Sequence, residues 1–181
     1  MHQSVPLNVP TIRSDRIVLR AFAESDVDAV IDASSDPFIP KITSVPERAD
    51  VASALAFVAR QHERAVSGAG YSFAVEVDSM CVGQIGLWLR DVDQGRATIG
   101  YWIRPASRRR GFAAAALAVV TKWGFETVGV DRLQLYVEPW NVGSWRAAER
   151  VGYKREGLLQ SWERVGEERR DMFMYGLTPR T

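Results

Sequence analysis

Three consecutive arginines followed by a glycine form the segment of this sequence best suited to bind a ligand. Residues 108–120 read RRRGFAAAALAVV. Adjacent like charges repel, so three successive guanidinium groups gain stability when an anion faces them. Alternating residues upstream predict a strand over 96–103, and the small apolar residues downstream predict a helix that begins near Gly111. The arginines therefore stand in a loop between the end of a strand and the start of a helix.

A helix start of this kind is a natural phosphate site. Its first backbone N–H groups have no partner within the helix, and the helix dipole adds partial positive charge there. Gly111 carries no side chain, so a ligand can approach the backbone closely. The alternative is a solvated basic loop before an alanine-rich core helix. Neither a Walker loop nor a dinucleotide-binding glycine pattern is present, so the phosphate belongs to another kind of ligand.

The elements that must position this loop follow from hydrophobic periodicity and turn residues. Strands are predicted at 16–22, 71–77, 80–89, 96–103, 132–138, 153–164 and 169–177, and helices at 24–34, 48–66, 111–127 and 141–151. The order is an antiparallel meander followed by alternating strands and helices. It predicts one α+β domain over 1–181, with three α/β/α layers and a mixed, mostly antiparallel sheet of about seven strands. Residues 1–10 are expected to be a flexible N-terminal segment.

Composition excludes several classes of protein. The formal net charge is +1, whereas a general nucleic-acid binder carries a strong basic excess. The longest apolar run is far too short to span a bilayer, and no signal peptide is recognisable, so we expect a cytoplasmic protein with no membrane partner. The single cysteine, Cys81, cannot form an intrachain disulfide. No group of His, Cys and Asp has metal-ligand spacing, so no metal is expected.

A second segment identifies a family by resemblance. Residues 140–157 read WNVGSWRAAERVGYKREG, and they follow the pattern Arg108-x-x-Gly111-x-Ala113. This ordered set resembles the GNAT superfamily of acetyl-CoA-dependent N-acetyltransferases, with similarity over residues 11–178. The most similar branch is the RimJ/RimL type, which acetylates ribosomal-protein N-termini. The residues that match that branch are Asn141, Ser144, Gly152–Tyr153 and Glu156–Gly157.

The resemblance implies where a coenzyme binds. Strands 96–103 and 132–138 are expected to run parallel and splay apart, with the pantetheine arm of acetyl-CoA in the gap. A backbone N–H near Trp102 or Ile103 is the candidate for the oxyanion, although an ordinary strand hydrogen bond is the alternative. The residues expected to surround the pyrophosphate are Arg108, Arg109, Arg110, Gly111, Phe112, Ala113 and Ala114.

The resemblance also implies catalytic roles. Many family members protonate the leaving thiolate with a tyrosine at the position of Ala148, and in the RimJ/RimL branch a serine at the position of Ser144 meets the sulfur instead. The alternative for Ser144 is a purely local role at the helix start. Asn141 is expected to bind pantetheine or cap the helix. The family's usual basic glutamate falls at Thr98, which cannot act as a base, so Glu138 becomes a candidate, against a solvated loop charge or a water-mediated base.

The predicted function is transfer of acetyl from acetyl-CoA to a primary amine by direct attack. The acceptor is a protein N-terminus or a small molecule, and the enzyme is a monomer or homodimer. The alternative is a catalytically silent acyl-CoA-binding module that acts as a sensor or scaffold. The missing tyrosine and the threonine at position 98 favour that alternative.

Overall fold

The chain folds around one open sheet of eight strands in the order β1-β2-β3-β4-β5-β6-β8-β7. The computed structural model describes residues 6–179. The strands are β1 (Ile12–Arg13), β2 (Val18–Arg20), β3 (Gly70–Val77), β4 (Met80–Trp88), β5 (Arg96–Ile103), β6 (Arg132–Val137), β7 (Lys154–Val165) and β8 (Glu168–Leu177). The helices are α1 (Val27–Ser34), α2 (Ile39–Ile42), α3 (Val51–Val66), α4 (Phe112–Trp123) and α5 (Val142–Val151). Short 3-10 turns precede α1, β5 and α4, and a π turn at Gly124–Val128 extends α4.

The predicted architecture is confirmed, with two differences at its margin. The first predicted strand divides into β1 and β2, which pair antiparallel with Ile12 opposite Leu19, so the sheet has eight strands. Helix α2 was not predicted, because it is only four residues long and has Pro40 in its first turn. So short a segment carries no readable period.

One junction in the sheet is parallel and only partly paired. Strands β5 and β6 pair over three positions, Arg96 with Arg132, Ala97 with Leu133 and Thr98 with Gln134. The pairing ends there, although β5 continues to Ile103 and β6 to Val137. The two strands therefore separate towards their carboxyl ends, which is the predicted splay.

Helices cover both faces of the sheet. On one face, α4 and α5 pack over a core that includes four fully buried residues, Leu87, Leu117, Val120 and Leu133. On the other face, α1 and α3 enclose a second cluster around Phe57.

In α3 the aliphatic residues Val51, Leu55 and Val58 recur at the spacing of one helix face, but they do not together form the buried face. Val58 is buried, but Val51 and Leu55 are exposed. The buried positions are Ala54, Phe57, Val58, Gln61 and Ala65. The buried face is therefore rotated away from the aliphatic residues, and Gln61 lies in the interior. Its Oε1 accepts hydrogen bonds from Ser72 Oγ at 3.0 Å and Gln84 Nε2 at 2.9 Å. Because the polar Gln61 lies on the buried face, the apolar period alone does not identify that face.

The expected flexible segment at residues 1–10 is only partly within the described chain, since residues 1–5 lie outside it. Leu7 donates its N–H to the Ala65 carbonyl at 2.8 Å, and Val9 packs against the core. Within residues 6–179, no helix combines the length and apolarity needed to cross a membrane.

Candidate active site

The turn before α4 presents backbone N–H groups to the surface. Arg109 and Gly111 both have left-handed backbone conformations, with φ of 61° and 81°, and Arg110 between them does not. Such alternation turns successive N–H groups into one concave anion-binding nest. The first intrahelical bond runs from Ala115 N to Gly111 O at 3.0 Å, and no side chain caps the helix. The N–H groups of Phe112, Ala113 and Ala114 are consequently left for a ligand or water.

The three arginines of this turn have different surroundings. The guanidinium of Arg108 is partly exposed but pairs with a buried carboxylate. Its NH1 is 2.8 Å from Asp36 Oδ2, and its Nε donates to the Ile103 carbonyl at 3.0 Å. Asp36 is buried, which acts to raise its pKa. The backbone N–H groups of Ile39 and Phe38 and the Arg108 cation outweigh that effect and hold the pKa of Asp36 below its ordinary value. Arg108 thus ties the end of β5 to the loop before α2, and its contact with a coenzyme stays a prediction.

Arg109 and Arg110 are exposed and form no ion pair among residues 6–179. The Arg110 guanidinium lies 4.8 Å from the centre of the Phe112 ring. A further cation, Arg16, donates to the Arg110 carbonyl at 2.9 Å, and its NH1 is 3.3 Å from the position that a Cβ on Gly111 would take. Sequence reasoning missed Arg16, because it lies on the loop between β1 and β2 and only the fold brings it to the turn.

The gap between β5 and β6 opens into a cavity of about 420 Å³. Its walls come from the segment after α2, from α3, and from strands β4 to β8, with Asn141 and Ser144 at the start of α5. Of the predicted site residues, Glu138, Asn141 and Ser144 line this cavity together. The arginine–glycine turn is the amino end of α4 and follows β5, one of the strands that border the gap.

Ser144 faces a tyrosine that the sequence did not single out. Its Oγ is 3.0 Å from the phenol oxygen of Tyr101 on β5, and that phenol donates to the Ser144 carbonyl at 2.9 Å. Burial raises the pKa of Tyr101 to about 12. The phenol therefore stays protonated near neutral pH, and the two hydroxyl groups form one hydrogen-bonding unit at the cavity wall.

Asn141 has the capping role that was one of its two predicted roles. Its Oδ1 accepts the N–H of Ser144 at 3.3 Å. Since this first-turn donor is already satisfied, the hydroxyl of Ser144 is not needed as a cap. Ala148, at the position where many family members carry tyrosine, is fully buried in the core. The tyrosine hydroxyl that contacts α5 is instead that of Tyr101 on strand β5.

Two carboxylates line the cavity from the β6 side of the gap. Glu138 is only 7% exposed, so it is not a solvated loop charge, and its nearest cation is Arg170 at 3.9 Å. Glu163 on β7 lines the same cavity. Burial and the negative charge of Glu138 raise the pKa of Glu163 above its ordinary value. Glu163 was missed because the register shift in β7 between Leu159 and Glu163 hides which face it occupies.

Strand alternation identifies which backbone N–H groups face the gap. Arg104 N donates to Val82 O on β4 at 3.0 Å. Because successive N–H groups alternate in direction, the N–H of Trp102 also points towards β4, whereas those of Ile103 and Tyr101 point towards β6. The β5–β6 ladder ends at Thr98, so these two N–H groups have no strand partner there. Of the two oxyanion candidates, the geometry favours Ile103.

Solved structures of acetyltransferases share this fold. RimJ from Mycobacterium smegmatis, solved with a CoA disulfide, superposes with a TM-score of 0.82 at 26% identity, covering 98% of this chain and 90% of that one. RimL, a ribosomal L7/L12 alpha-N-protein acetyltransferase solved with coenzyme A, gives a TM-score of 0.79 at 17% identity, covering 93% and 98%. The fold is therefore that of a RimJ/RimL-like acetyltransferase.

Sequence comparison identifies the family. Residues 16–154 match the model described as Acetyltransferase (GNAT) domain. The N-acetyltransferase p20 of Bacillus licheniformis is 27% identical over 173 residues, which covers 94% of this chain and 97% of that protein. The chain belongs to the GNAT acetyltransferase family, and the prediction of an acyltransferase is confirmed.

Proposed function

We propose that the protein transfers the acetyl group of acetyl-CoA to a primary amine by direct attack. One observation supports this above all: a single cavity in the split sheet is lined by a pair of hydroxyl groups and by two carboxylates. Direct transfer needs a proton acceptor for the amine and a hydrogen-bond donor for the leaving sulfur. Both kinds of group are present on its walls.

The coenzyme would bind at the turn before α4 and in the β5–β6 gap. Its pyrophosphate would occupy the nest around Gly111, with Arg16, Arg109 and Arg110 as counter-charges. The pantetheine arm would lie in the gap, where the unpaired N–H of Ile103 faces the acetyl carbonyl. Its oxygen becomes negative as the amine attacks, so a fixed N–H stabilises the transition state more than the ground state.

The reaction then balances without a metal or redox step. The amine nitrogen forms a bond to the acetyl carbon, the carbon–sulfur bond breaks, and the sulfur keeps the electron pair. A proton leaves the nitrogen for a carboxylate or water. The thiolate accepts a hydrogen bond from the Ser144–Tyr101 pair and then a proton through it, and the pair takes back the proton that the amine released. No group of three potential metal ligands is present among the described residues.

Either Glu138 or Glu163 can act as the proton acceptor, and the pH profile of activity distinguishes them. A base must be ionised, so activity should rise with pH through its pKa. If Glu163 is the base, Glu138→Gln removes a neighbouring negative charge that raises the pKa of Glu163. The acidic limb should then move to lower pH while activity is retained, and Glu163→Gln should remove that limb.

The opposite result assigns the base to Glu138. In that case Glu138→Gln removes most activity at every pH, and Glu163→Gln retains it. The measurement is kcat/KM against pH for both variants and the wild type. An identical profile in all three proteins would contradict a carboxylate base in this cavity.

The proposed function is tested by release of thiol from acetyl-CoA in the presence of a panel of primary amines. We expect amine-dependent thiol release, and we expect acetyl-CoA to raise the melting temperature, because a ligand of the native state stabilises it by mass action. NAD and ATP serve as controls and should give no thermal shift. A thermal shift without thiol release for any amine would favour the silent acyl-CoA-binding module, and no shift at millimolar acetyl-CoA would exclude coenzyme binding.

A further inference from the structure

A half-buried arginine lines the cavity without a carboxylate partner. Arg64 on α3 donates from NH1 to Gln61 Oε1 at 2.6 Å and from NH2 to Ser44 Oγ at 3.0 Å. Both acceptors are neutral, and no carboxylate among residues 6–179 lies within ion-pair distance of Arg64. A guanidinium has five N–H donors, and only two of those on Arg64 have an acceptor among residues 6–179.

The surroundings of Arg64 concentrate positive charge at this wall. Arg60, one helical turn earlier, donates to the Ser44 carbonyl at 3.1 Å, so two guanidinium groups converge on one residue. Burial and the Arg60 charge lower the pKa of Arg64. A bound anion would offset both effects, because an adjacent negative charge favours the charged guanidinium.

A fixed aromatic platform holds Arg64 in place. Its guanidinium carbon lies 4.7 Å from the centre of the Trp88 ring. The indole in turn lies against the glycines of three neighbouring strands: a Cβ on Gly70 or Gly100 would come within 3.1 or 3.3 Å of it, and one on Gly86 would overlap it. Trp88 also lines the cavity. The cation is therefore pre-oriented and would lose little conformational freedom on binding an anion.

The opposite wall has the opposite charge. Glu138, the residue after β6, and Glu163 on β7 lie on the far side of the β5–β6 gap from α3 and β4, and all of these segments border one cavity. A ligand with a positive end and a negative end would match both walls, whereas a polyamine would place a second cation against Arg64.

We infer that the acceptor is an amine that carries an acidic group on the same molecule, with the acid bound by Arg64 and the amine directed towards Glu138 and Glu163. This inference rests on the proposed function. The acidic group takes no part in bond making: the nitrogen still displaces the sulfur at the acetyl carbon and gives up its proton. Arg64 is accordingly a specificity-determining residue and not a catalytic one.

Acceptors in matched pairs test the inference. The pairs are β-alanine with β-alaninamide, 4-aminobutyrate with 4-aminobutyramide, and the peptide Ala-Asp-Ala-amide with Ala-Asn-Ala-amide, with 1,4-diaminobutane as the dicationic control. We expect the wild type to prefer the acidic member of at least one pair by about tenfold in kcat/KM, as for one charged hydrogen bond. The responding pair shows whether the acid comes from a small molecule or a polypeptide.

Variants separate an ionic role of Arg64 from a structural one. Arg64→Gln should raise KM for the acidic acceptor about tenfold and leave KM for the matched amide acceptor nearly unchanged. Arg64→Lys should restore part of the preference for the acidic acceptor. Ser44→Ala is the control, because it removes a neutral partner of Arg64 but keeps the charge. Equal use of acid and amide by the wild type, or equal losses on both in Arg64→Gln, would overturn the inference.

Calorimetry keeps this test separate from that of the proposed function. The acids are titrated into the wild type and Arg64→Gln, each in complex with CoA. Binding that depends on Arg64, without thiol release from any amine, would support the anion subsite and reject the transferase. Absence of such binding would reject the subsite even if neutral amines are acetylated.

Discussion

Gly111→Asp should weaken acetyl-CoA binding by about a hundredfold or more. The main effect is electrostatic and steric. The left-handed backbone at this position, with φ of 81°, costs a residue with a Cβ about 1–2 kcal/mol of unfolding free energy, which lowers stability in the free and bound protein alike. The new carboxylate would also occupy the phosphate nest and pair with Arg16, whose NH1 is 3.3 Å from the Cβ position. Like charges about 4 Å apart near a surface oppose each other by about 4 kcal/mol.

The other end of the same helical segment supplies a matched control. Gly129 ends the π turn after α4, has a φ of 77°, and has no atom within 4 Å of its Cβ position. Gly129→Asp therefore introduces the same backbone strain and the same charge far from the nest. Titration calorimetry should show a large loss of affinity for Gly111→Asp and almost none for Gly129→Asp.

Arg109→Ala should weaken acetyl-CoA binding less than Gly111→Asp does. Arg109 is exposed, so removal of its side chain should cost about 1 kcal/mol, or less than tenfold in affinity. Equal dissociation constants for the two aspartate variants would show that the pyrophosphate lies elsewhere.

The arginine–glycine turn could be predicted because its information is local. A strand, a loop with arginines and glycine, and an alanine-rich helix are all encoded within about thirty residues. The start of α5 was predictable for the same reason, since Asn141 and its capped donor Ser144 are three residues apart. Family resemblance added that the two segments border one gap.

The remaining site residues depend on contacts between distant segments. Tyr101 and Ser144 are 43 positions apart, and Arg16 is 94 positions from the carbonyl that it contacts. No period or spacing connects such pairs. Arg108 shows the same dependence on the fold: the motif predicts a ligand contact, and only the fold reveals that its guanidinium also pairs with Asp36.

Ser144→Ala should lower turnover by roughly ten- to a thousandfold and leave the dissociation constant of acetyl-CoA nearly unchanged. This expectation rests on the hydroxyl pair. A small rotation of the two hydroxyl hydrogens lets Tyr101 donate to Ser144 Oγ while Ser144 donates into the cavity. Negative charge develops on sulfur only as the carbon–sulfur bond breaks, so this interaction affects the rate and not ground-state binding. The magnitude follows that of single oxyanion donors.

Tyr101→Phe should have a smaller effect in the same direction, because Ser144 keeps its own proton. In a double-mutant cycle, the two changes together should cost less than the sum of their separate effects in activation free energy, as expected for groups that act as one unit. Additive effects on turnover would show that the two hydroxyl groups act independently.

A second hydroxyl pair provides the control for stability. Thr121 Oγ1 and Tyr153 OH are 2.8 Å apart, buried, and absent from the cavity walls. Tyr153→Phe should cost about 1 kcal/mol of unfolding free energy, as for one internal hydrogen bond, without changing turnover per folded enzyme. Rate and unfolding free energy are measured on the same preparations. If Ser144→Ala behaves as Tyr153→Phe does, losing stability but not turnover, then Ser144 only fixes the start of α5, and the departing thiolate takes its proton from water.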